Sequence, residues 1–288
     1  MAMDLSLEPA LSYDIATLAQ LLNRSFADYL VDIRLNPTLL SQMIQREGID
    51  LSQSQLILRR DKAIGIALIA RRGWTCRLAA MGLISESRGQ GIGTWFLKDL
   101  VTQASLRGEH TMMLEVIEQN RPAVRLYEAG GFASLRRLVG YKASKPVGQA
   151  DDRLHEIDLR TVGHRLIMVG QTDLPWQISG ESLAHAGPPN RGYQLGPAYA
   201  AISNPDRPQI NINAVVVAPE AQRQGWASRL LQALMACYPD RIWRVPILWP
   251  AEIAPGFFEQ LGFVAESLTQ LQMSLDLTIP SRKADENS

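Results

Sequence analysis

An internal duplication limits the possible folds of this sequence more than any other feature. The segment MGLISESRGQGIGTWFLKDLV, residues 81–101, is similar to AVVVAPEAQRQGWASRLLQALM, residues 214–235. The segment VRLYEAGGF, residues 124–132, is similar to PGFFEQLGF, residues 255–263. A repeat unit of this length is too long for a solenoid, so the duplication indicates two similar domains in tandem.

The chain has 288 residues, which is enough for two domains with hydrophobic cores of their own. We assign the first domain to residues 1–145 and a linker to residues 146–152. The second domain covers residues 153–280, and residues 281–288 form a polar tail that we expect to be disordered.

Hydrophobic periodicity predicts alternating strands and helices in the first domain. Strand, helix, strand, helix, strand implies crossover connections and parallel pairing near the middle of the sheet, an α/β (α+β) fold. The predicted helices are 15–33, 37–48, 94–108 and 121–131, and the predicted strands are 54–61, 63–73, 77–85, 110–118 and 132–144.

The composition argues against several classes of function. Lys and Arg number 29 and Asp and Glu number 29, so the formal net charge is zero. Binding to nucleic acid or to an anionic membrane needs a basic surface, so we expect neither. Cys76 and Cys237 lie far apart, as in a reduced, cytoplasmic protein. The four histidines show no metal-ligand spacing, so we expect no metal site.

The glycine-rich segment SRGQGIGT, residues 87–94, lies between a predicted strand and a predicted helix. Such a loop can bind a phosphate through backbone N–H groups and the positive end of the helix dipole. A Walker loop needs Lys-Ser/Thr where Thr94-Trp95 stands, and the dinucleotide fingerprint fails in both registers. An R-x-x-G-x-G pyrophosphate loop from Arg88 to Gly93 and a plain turn before a helix remain open.

A second motif follows one strand later. The segment LEVIEQNRPAVRLYEAGGF, residues 114–132, has the pattern N-x-x-A-x-x-L-Y-x-x-x-G-F. In this order and spacing, the two motifs resemble the GNAT superfamily of acyl-CoA-dependent N-acetyltransferases. The details of the second motif, LEV at residues 114–116 followed by Asn120 and Tyr127, look like those of ribosomal-protein N-terminal acetyltransferases. The resemblance covers residues 10–142 well and the second half more weakly, through Gln222, Gly225 and Ala227.

The resemblance implies two tandem GNAT-like domains, each with a central pair of parallel strands that splay apart and with helices flanking the sheet. Acetyl-CoA would lie in the gap, with its pantetheine arm paired to the backbone of Met81, Leu83 and Ser85. Asn120 would contact this arm and also cap the helix that follows. The pyrophosphate would lie on the backbone of the loop, at Arg88, Gly89, Gln90, Gly91, Ile92, Gly93 and Thr94.

Acetyl transfer requires that the ammonium lose a proton, that the thioester oxygen be stabilised and that the thiolate be protonated. Glu115 is our candidate base, since a glutamate in an otherwise apolar strand is unusual unless it faces water or a site. The family implies Tyr127 as the acid that protonates the CoA sulfur. The backbone N–H of Leu83 is the candidate oxyanion donor.

We therefore expect the first domain to acetylate a primary amine of a small molecule, peptide or protein by direct attack, as a monomer or homodimer. The family builds its acceptor pocket near FADYLVD, which gives Phe26, Asp28 and Tyr29 as weaker candidates. A non-catalytic CoA-binding sensor or scaffold is the alternative.

The second copy departs from the pattern in its chemistry. Phe258 stands where Tyr127 stands, and the strand RIWRVPILW has no carboxylate to match Glu115. Gln222, Gly225 and Ala227 keep the loop spacing and mark a vestigial CoA site. We expect this domain to be catalytically silent, because a retained fold does not by itself carry activity.

Overall fold

The protein is described here as a computed structural model over residues 4–169 and 173–278. The predicted tail, 281–288, lies outside these described residues. The first half contains β1 (Leu5–Pro9), α1 (Ile15–Ser25), α2 (Pro37–Glu47), β2 (Gln55–Arg59), β3 (Lys62–Arg72), β4 (Thr75–Leu83), α3 (Ile92–Leu106), β5 (Thr111–Ile117), α4 (Arg121–Ala129) and β6 (Ala133–Ser144).

The second half continues the same alternation. It contains β7 (His155–Ile157), α5 (Leu159–Met168), α6 (Gly180–Ala184), β8 (Arg191–Leu195), β9 (Ala198–Ile202), β10 (Gln209–Val217), α7 (Trp226–Cys237), β11 (Ile242–Pro250), α8 (Phe257–Gln260), β12 (Val264–Ala265) and β13 (Gln270–Asp276). These strands form one continuous mixed sheet flanked by helices, which confirms the predicted fold class. No helix among the described residues is long and apolar enough to cross a bilayer.

The first helix is shorter than predicted. It ends at Ser25 rather than continuing to residue 33. The Asn23 side chain donates to the Leu35 carbonyl and accepts from the Leu35 N–H, both at 2.8 Å. These two bonds fold the chain back over residues 26–33 and give the backbone of Leu35 partners outside a helix. The shortened helix leaves Phe26, Asp28 and Tyr29 in an irregular segment.

The central parallel strands separate in both halves of the sheet. Strands β4 and β5 pair only from Thr75–Thr111 to Arg77–Met113, although both strands continue further. Strands β10 and β11 likewise pair only from Gln209–Ile242 to Asn211–Arg244. The predicted splay is therefore present twice.

A bulge precedes each gap. Ala79 of β4 has no partner in the pairing of β4 with β3, and Asn213 of β10 has no partner in the pairing of β10 with β9. A bulge bends its strand and increases the local twist, so each bulge turns one strand away from its parallel neighbour. Ala79 and Asn213 lie at the same place in the duplication, which accounts for the repeated geometry.

The two halves exchange strands. The last strand, β13, lies between β5 and β6, in the interior of the first half of the sheet. The final part of β6 pairs with β11, on the second-half side. A cut at residue 145 would therefore leave the first half without one of its interior strands. The halves recognised by duplication are not structurally independent.

A segment of the second half also packs against the first. The Trp176 indole N–H donates to the Glu47 carbonyl at 2.7 Å, and its ring lies 4.1 Å from the Arg72 guanidinium carbon. Arg72 also donates to the hydroxyls of Ser179 and Ser182. Trp176 belongs to the hydrophobic core of the first half. This contact and the exchanged strands join the halves into a single folded unit.

Candidate active site

The gap between β4 and β5 opens into a cleft of about 730 Å³. The end of β4, the glycine loop, the start of α4 and the segment after α1 form its walls. The cleft brings together twelve residues that the sequence analysis named: Phe26, Asp28, Tyr29, Met81, Leu83, Arg88, Gly89, Gly91, Gly93, Thr94, Asn120 and Tyr127.

The glycine loop has an open backbone surface towards the cleft. Gly89 and Gly91 have φ values of 72° and 77°, which glycine adopts at little cost. A Cβ atom at either position would meet nothing within 4 Å, so a ligand can approach the backbone there. Gly91 caps α3, whose first backbone N–H groups have no partner within the helix. This arrangement is suited to binding a phosphate.

Arg88 ties the loop to its surroundings through main-chain groups. Its Nε donates to the Leu83 carbonyl at 3.0 Å, and a terminal nitrogen donates to the Ser25 carbonyl at 2.9 Å. The same guanidinium lies 3.7 Å from Asp28. Arg88 thus holds the end of β4, the loop and the segment after α1 in fixed relation.

Three residues predicted to contact the cofactor do not line the cleft. Ile92 is fully buried in the core, where it anchors the first turn of α3. The Gln90 side chain points away, accepting from Arg59 and donating to the Glu86 carbonyl. The Ser85 hydroxyl donates to Asp28 at 2.5 Å. These side chains shape the loop, and only their backbone could face a ligand.

The backbone of Leu83 is directed into the gap. The N–H of Ile84 donates to the Ile64 carbonyl on β3, so Ile84 directs its polar groups towards that strand. Neighbouring residues of a strand direct their backbone groups to opposite edges, so those of Leu83 face the gap. The bond from Arg88 to the Leu83 carbonyl is on this side. This orientation is the one that the predicted oxyanion donor requires.

Tyr127 and Tyr29 lie together in the cleft with Asn120. Burial, and to a lesser degree the nearby Tyr29, raises the pKa of Tyr127 well above its usual value, so Tyr127 stays protonated at neutral pH. Burial likewise raises the pKa of Tyr29, an effect partly offset by a hydrogen bond from Asn120. The Asn120 side chain accepts from the Ala123 N–H at 3.3 Å, which confirms it as the N-cap of α4.

Glu115 lies outside this cleft. Its carboxylate accepts from Arg77 Nε at 2.7 Å, and Arg77 also pairs with Glu47 at 2.9 Å. All three side chains are at most 4% exposed. Gln177, from the second half, donates to the same Glu115 oxygen at 3.2 Å. These contacts favour a structural role for Glu115 over the predicted role as base.

Several residues at and around the cleft were not predicted from the sequence. Ser25, Gln119 and Arg125 line it, and Arg125 places a cation two residues before Tyr127. The helical pattern that buries Val124 and Tyr127 leaves Arg125 exposed, and this position is the signal from which a cation near Tyr127 could have been predicted. Arg77 and Gln177 could not be found in this way, because their partner Glu115 lies far from both along the chain.

The second gap, between β10 and β11, also opens into a cleft, of about 530 Å³. Gln222, Gly225 and Ala227 line it, as predicted for the vestigial site. Phe258, at the position of Tyr127, is buried in an aromatic cluster with Tyr141 and Phe263. A phenyl ring offers no proton for a leaving group.

Two family models match this sequence. The model described as "Acetyltransferase (GNAT) family" matches residues 18–132. The model described as "Acetyltransferase (GNAT) domain" matches residues 192–265. Together they account for more than half of the chain and place one GNAT domain in each copy of the duplication.

One curated relative is the N-alpha-acetyltransferase 30 of Schizosaccharomyces pombe. It is 36% identical over 98 residues, which represent 31% of this chain and 62% of the relative. The chain therefore spans less than two thirds of the length of that relative.

Solved structures resemble the whole chain in fold. A GCN5-related N-acetyltransferase from Sphaerobacter thermophilus superposes with a TM-score of 0.67 at 14% identity, covering 95% of this chain and 96% of that one. A tandem GNAT protein from the clavulanic acid biosynthesis pathway gives a TM-score of 0.65 at 14% identity, covering 96% and 99%. At such identities the likeness concerns the fold alone.

Proposed function

Because this chain belongs to the GNAT family of acetyltransferases, we propose that its first half transfers the acetyl group of acetyl-CoA to a primary amine. One observation carries the proposal: the cleft between β4 and β5 brings together the open glycine loop, the Leu83 backbone, Asn120 and Tyr127. The protein would act in the cytoplasm as a monomer or homodimer.

The cleft has the chemistry that acetyl-CoA needs. The pyrophosphate would lie on the backbone N–H groups of the loop from Arg88 to Thr94, where the left-handed glycines leave open space. The pantetheine arm would extend along the unpaired edge of β4, adding main-chain hydrogen bonds in the manner of an extra strand. Arg125 would add a cation at the wall of the cleft.

The reaction would be a direct attack. The amine nitrogen forms a bond to the thioester carbonyl carbon, the carbon–sulfur bond breaks, and the thiolate receives the proton of Tyr127. The second proton that the nitrogen loses on becoming an amide would restore the Tyr127 phenol. The Leu83 N–H would donate to the carbonyl oxygen as it gains negative charge. Tyr127 suits its role because its raised pKa keeps it in the phenol form at neutral pH.

The acceptor would enter beside the segment after α1. Asp28 is the one carboxylate among the described residues that line the cleft, and it can hold an ammonium before attack. The ammonium proton would pass to water at this open edge, since Glu115 is committed to Arg77. The name of the curated relative favours a peptide α-amine as the first acceptor to assay.

Gly93→Glu tests the proposal. A Cβ at Gly93 would make only ordinary contacts, the nearest at 3.6 Å, and a carboxylate in the first turn of a helix is favourable. The variant should fold, yet its charge would repel a pyrophosphate. Thr102→Glu adds the same charge on the exposed face of α3 and is the matched control.

Acetyl transfer to a peptide amine and acetyl-CoA binding are measured for the three chains. We expect loss of transfer and of tight binding in Gly93→Glu alone. Wild-type transfer by the Gly93→Glu chain would contradict the proposed cofactor site. Binding without any acetyl transfer to peptide or small-molecule amines in the wild type would favour the non-catalytic sensor instead.

A further inference from the structure

A polar groove of about 1070 Å³ lies between the two halves of the protein. One wall is formed by α2 of the first half, and the others by β7, the start of α5, the segment between α6 and β8, and the connection from β9 to β10. None of the described residues that line the groove lines the first or the second cleft. The groove is therefore a separate concave surface, and it requires residues of both halves.

The groove is also separate from the gap between β10 and β11. It meets β10 at Gln209 and Asn211, where this strand still pairs with β11. The lining of the second cleft begins on β10 at Asn213, beyond the last pair. A ligand in the groove would therefore lie outside the space in which the two parallel strands separate.

The charged side chains of the groove leave a positive charge uncompensated. Four arginines and two carboxylates line it: Arg46, Arg160, Arg191, Arg207, Glu156 and Asp158. Asp158 accepts from Arg160 at 3.1 Å, and Glu156 accepts from Arg191 at 3.2 Å. Arg207 is exposed and forms no ion pair with any described residue. An unpaired guanidinium in a concave surface is suited to bidentate binding of a carboxylate or a phosphate.

Arg46 has a donor that the fold does not use. One of its terminal nitrogens donates to Glu47, whereas its Nε is buried and has no hydrogen-bond partner among the described residues. A buried donor without an acceptor lowers stability, and more so when its group is charged. An oxygen atom of a ligand in the groove would satisfy this donor.

Amide side chains form most of the remaining polar lining of the groove; they are Gln42, Gln45, Asn190, Asn204, Gln209 and Asn211. Each amide carries both donors and an acceptor, which is the combination that neighbouring hydroxyl groups need. Such a lining favours a ligand body with several hydroxyl groups, because an apolar body would cover the amides without bonding to them.

We propose that this groove binds a sugar or polyol that carries a phosphate or a carboxylate. The unpaired Arg207 would bind the anionic group, Arg46 Nε would donate to an oxygen atom of the ligand, and the amides would bond to its hydroxyl groups. Because Arg46 belongs to the first half and Arg207 to the second, the bound ligand would join the two halves. The inference does not depend on acetyl transfer in the first cleft.

Calorimetric titration tests the inference with glucose 6-phosphate, glucuronate and glucose, which share a sugar ring and differ in charge. The full-length Gly93→Glu chain is used throughout, because the glycine loop of the first cleft could bind a phosphate as well. We expect at least one of the two anions to bind one site per chain, with a Kd below about 1 mM and at least tenfold more tightly than glucose. The preferred anion identifies whether the phosphate or the carboxylate is recognised.

Two outcomes of these titrations would count against the proposal. Binding of neither anion would overturn it. Inorganic phosphate, titrated in the same way, should bind more weakly than the preferred anion because it has no hydroxylated body. Equal affinity for inorganic phosphate would overturn the assignment of a sugar or polyol.

Two variants assign the binding to the groove. Arg207→Gln removes the unpaired charge, and Arg46→Lys removes the Nε donor while keeping a cation beside Glu47. Each should weaken binding of the preferred anion about tenfold. Arg60→Gln removes an exposed arginine from the turn between β2 and β3 and should leave the affinity unchanged. Thermal unfolding checks that each variant is folded, and undiminished binding in both groove variants would refute the site.

Discussion

The guanidinium of Arg77 donates to Glu115 at 2.7 Å across two strands that no longer pair with each other beyond this point. Glu47, from α2, binds the same guanidinium. The ion cluster therefore fills the first splay on the side away from the cleft. We therefore expect a change in this cluster to lower the stability of the fold, whether or not it also affects the chemistry.

Glu115→Gln should lower the free energy of unfolding by about 3 kcal/mol, because it removes one of two carboxylates that compensate a buried cation. Chemical denaturation measures this loss. Glu118→Gln is the control, since Glu118 pairs with the largely exposed Arg137 and should cost less than about 1 kcal/mol.

The pH–rate profile of the folded Glu115→Gln enzyme distinguishes the two roles of this residue. A structural Glu115 leaves the shape of the profile unchanged. Loss of activity confined to low pH would restore Glu115 as the base predicted from the sequence.

Tyr127→Phe should lower the turnover rate by roughly 10² to 10⁴ while acetyl-CoA binds as in the wild type, because the variant removes only the proton donor. Steady-state kinetics and binding measurements separate the two quantities. Tyr141→Phe removes the hydroxyl of another buried tyrosine that lies outside the cleft, and should leave turnover unchanged. Equal turnover in Tyr127→Phe would eliminate this tyrosine as the acid.

Much of the first half follows from local sequence signals. Asn120 caps α4 as predicted, Asn36 caps α2, and Gly48 ends α2 in the left-handed conformation. The glycine loop and Tyr127 meet in one cleft because the motif spacing fixes which strand and helix carry them.

The remaining features depend on contacts that no local pattern records. Arg77 lies in a strand whose basic neighbours suggest a solvated edge, yet Glu47 and Glu115 reach it from elsewhere in the chain. Gln177 and Trp176 come from the other copy of the duplication. The position of β13 likewise depends on pairing between distant residues, which periodicity cannot specify.

The exchanged strand predicts that the first cleft depends on the end of the second half. A chain ending at residue 268 lacks β13 and should fail to bind acetyl-CoA at the first cleft, because β5 and β6 lose their shared neighbour. Met273, fully buried in the core of the first half, would be lost as well. Calorimetric titration measures the binding.

A chain ending at Thr278 keeps every described strand and is the control for this truncation. It should bind acetyl-CoA as the full-length protein does. Undiminished binding by the chain that ends at residue 268 would show that β13 is dispensable for the cleft.

The two thiols should react at very different rates. Burial, with a contribution from Glu109, raises the pKa of Cys76, so its thiolate fraction at pH 8 falls far below that of an ordinary cysteine. Cys237 is exposed. Labelling with a thiol reagent at pH 8 should modify one thiol per native chain quickly and the second only after unfolding. The variant Cys237→Ser retains only the buried thiol of Cys76, so it should resist labelling until it is denatured. Rapid labelling of this variant in its native state would contradict the prediction.

The location of β13 also constrains the order of events during synthesis. When Ser144 leaves the ribosome, β5 and β6 are present but the strand between them has not been made. At ordinary elongation rates the ribosome needs on the order of ten seconds to supply it. Throughout this interval the nascent first half exposes two strand edges with unpaired backbone groups, so it is then that the chain is most open to pairing with a neighbouring copy or to capture by a chaperone.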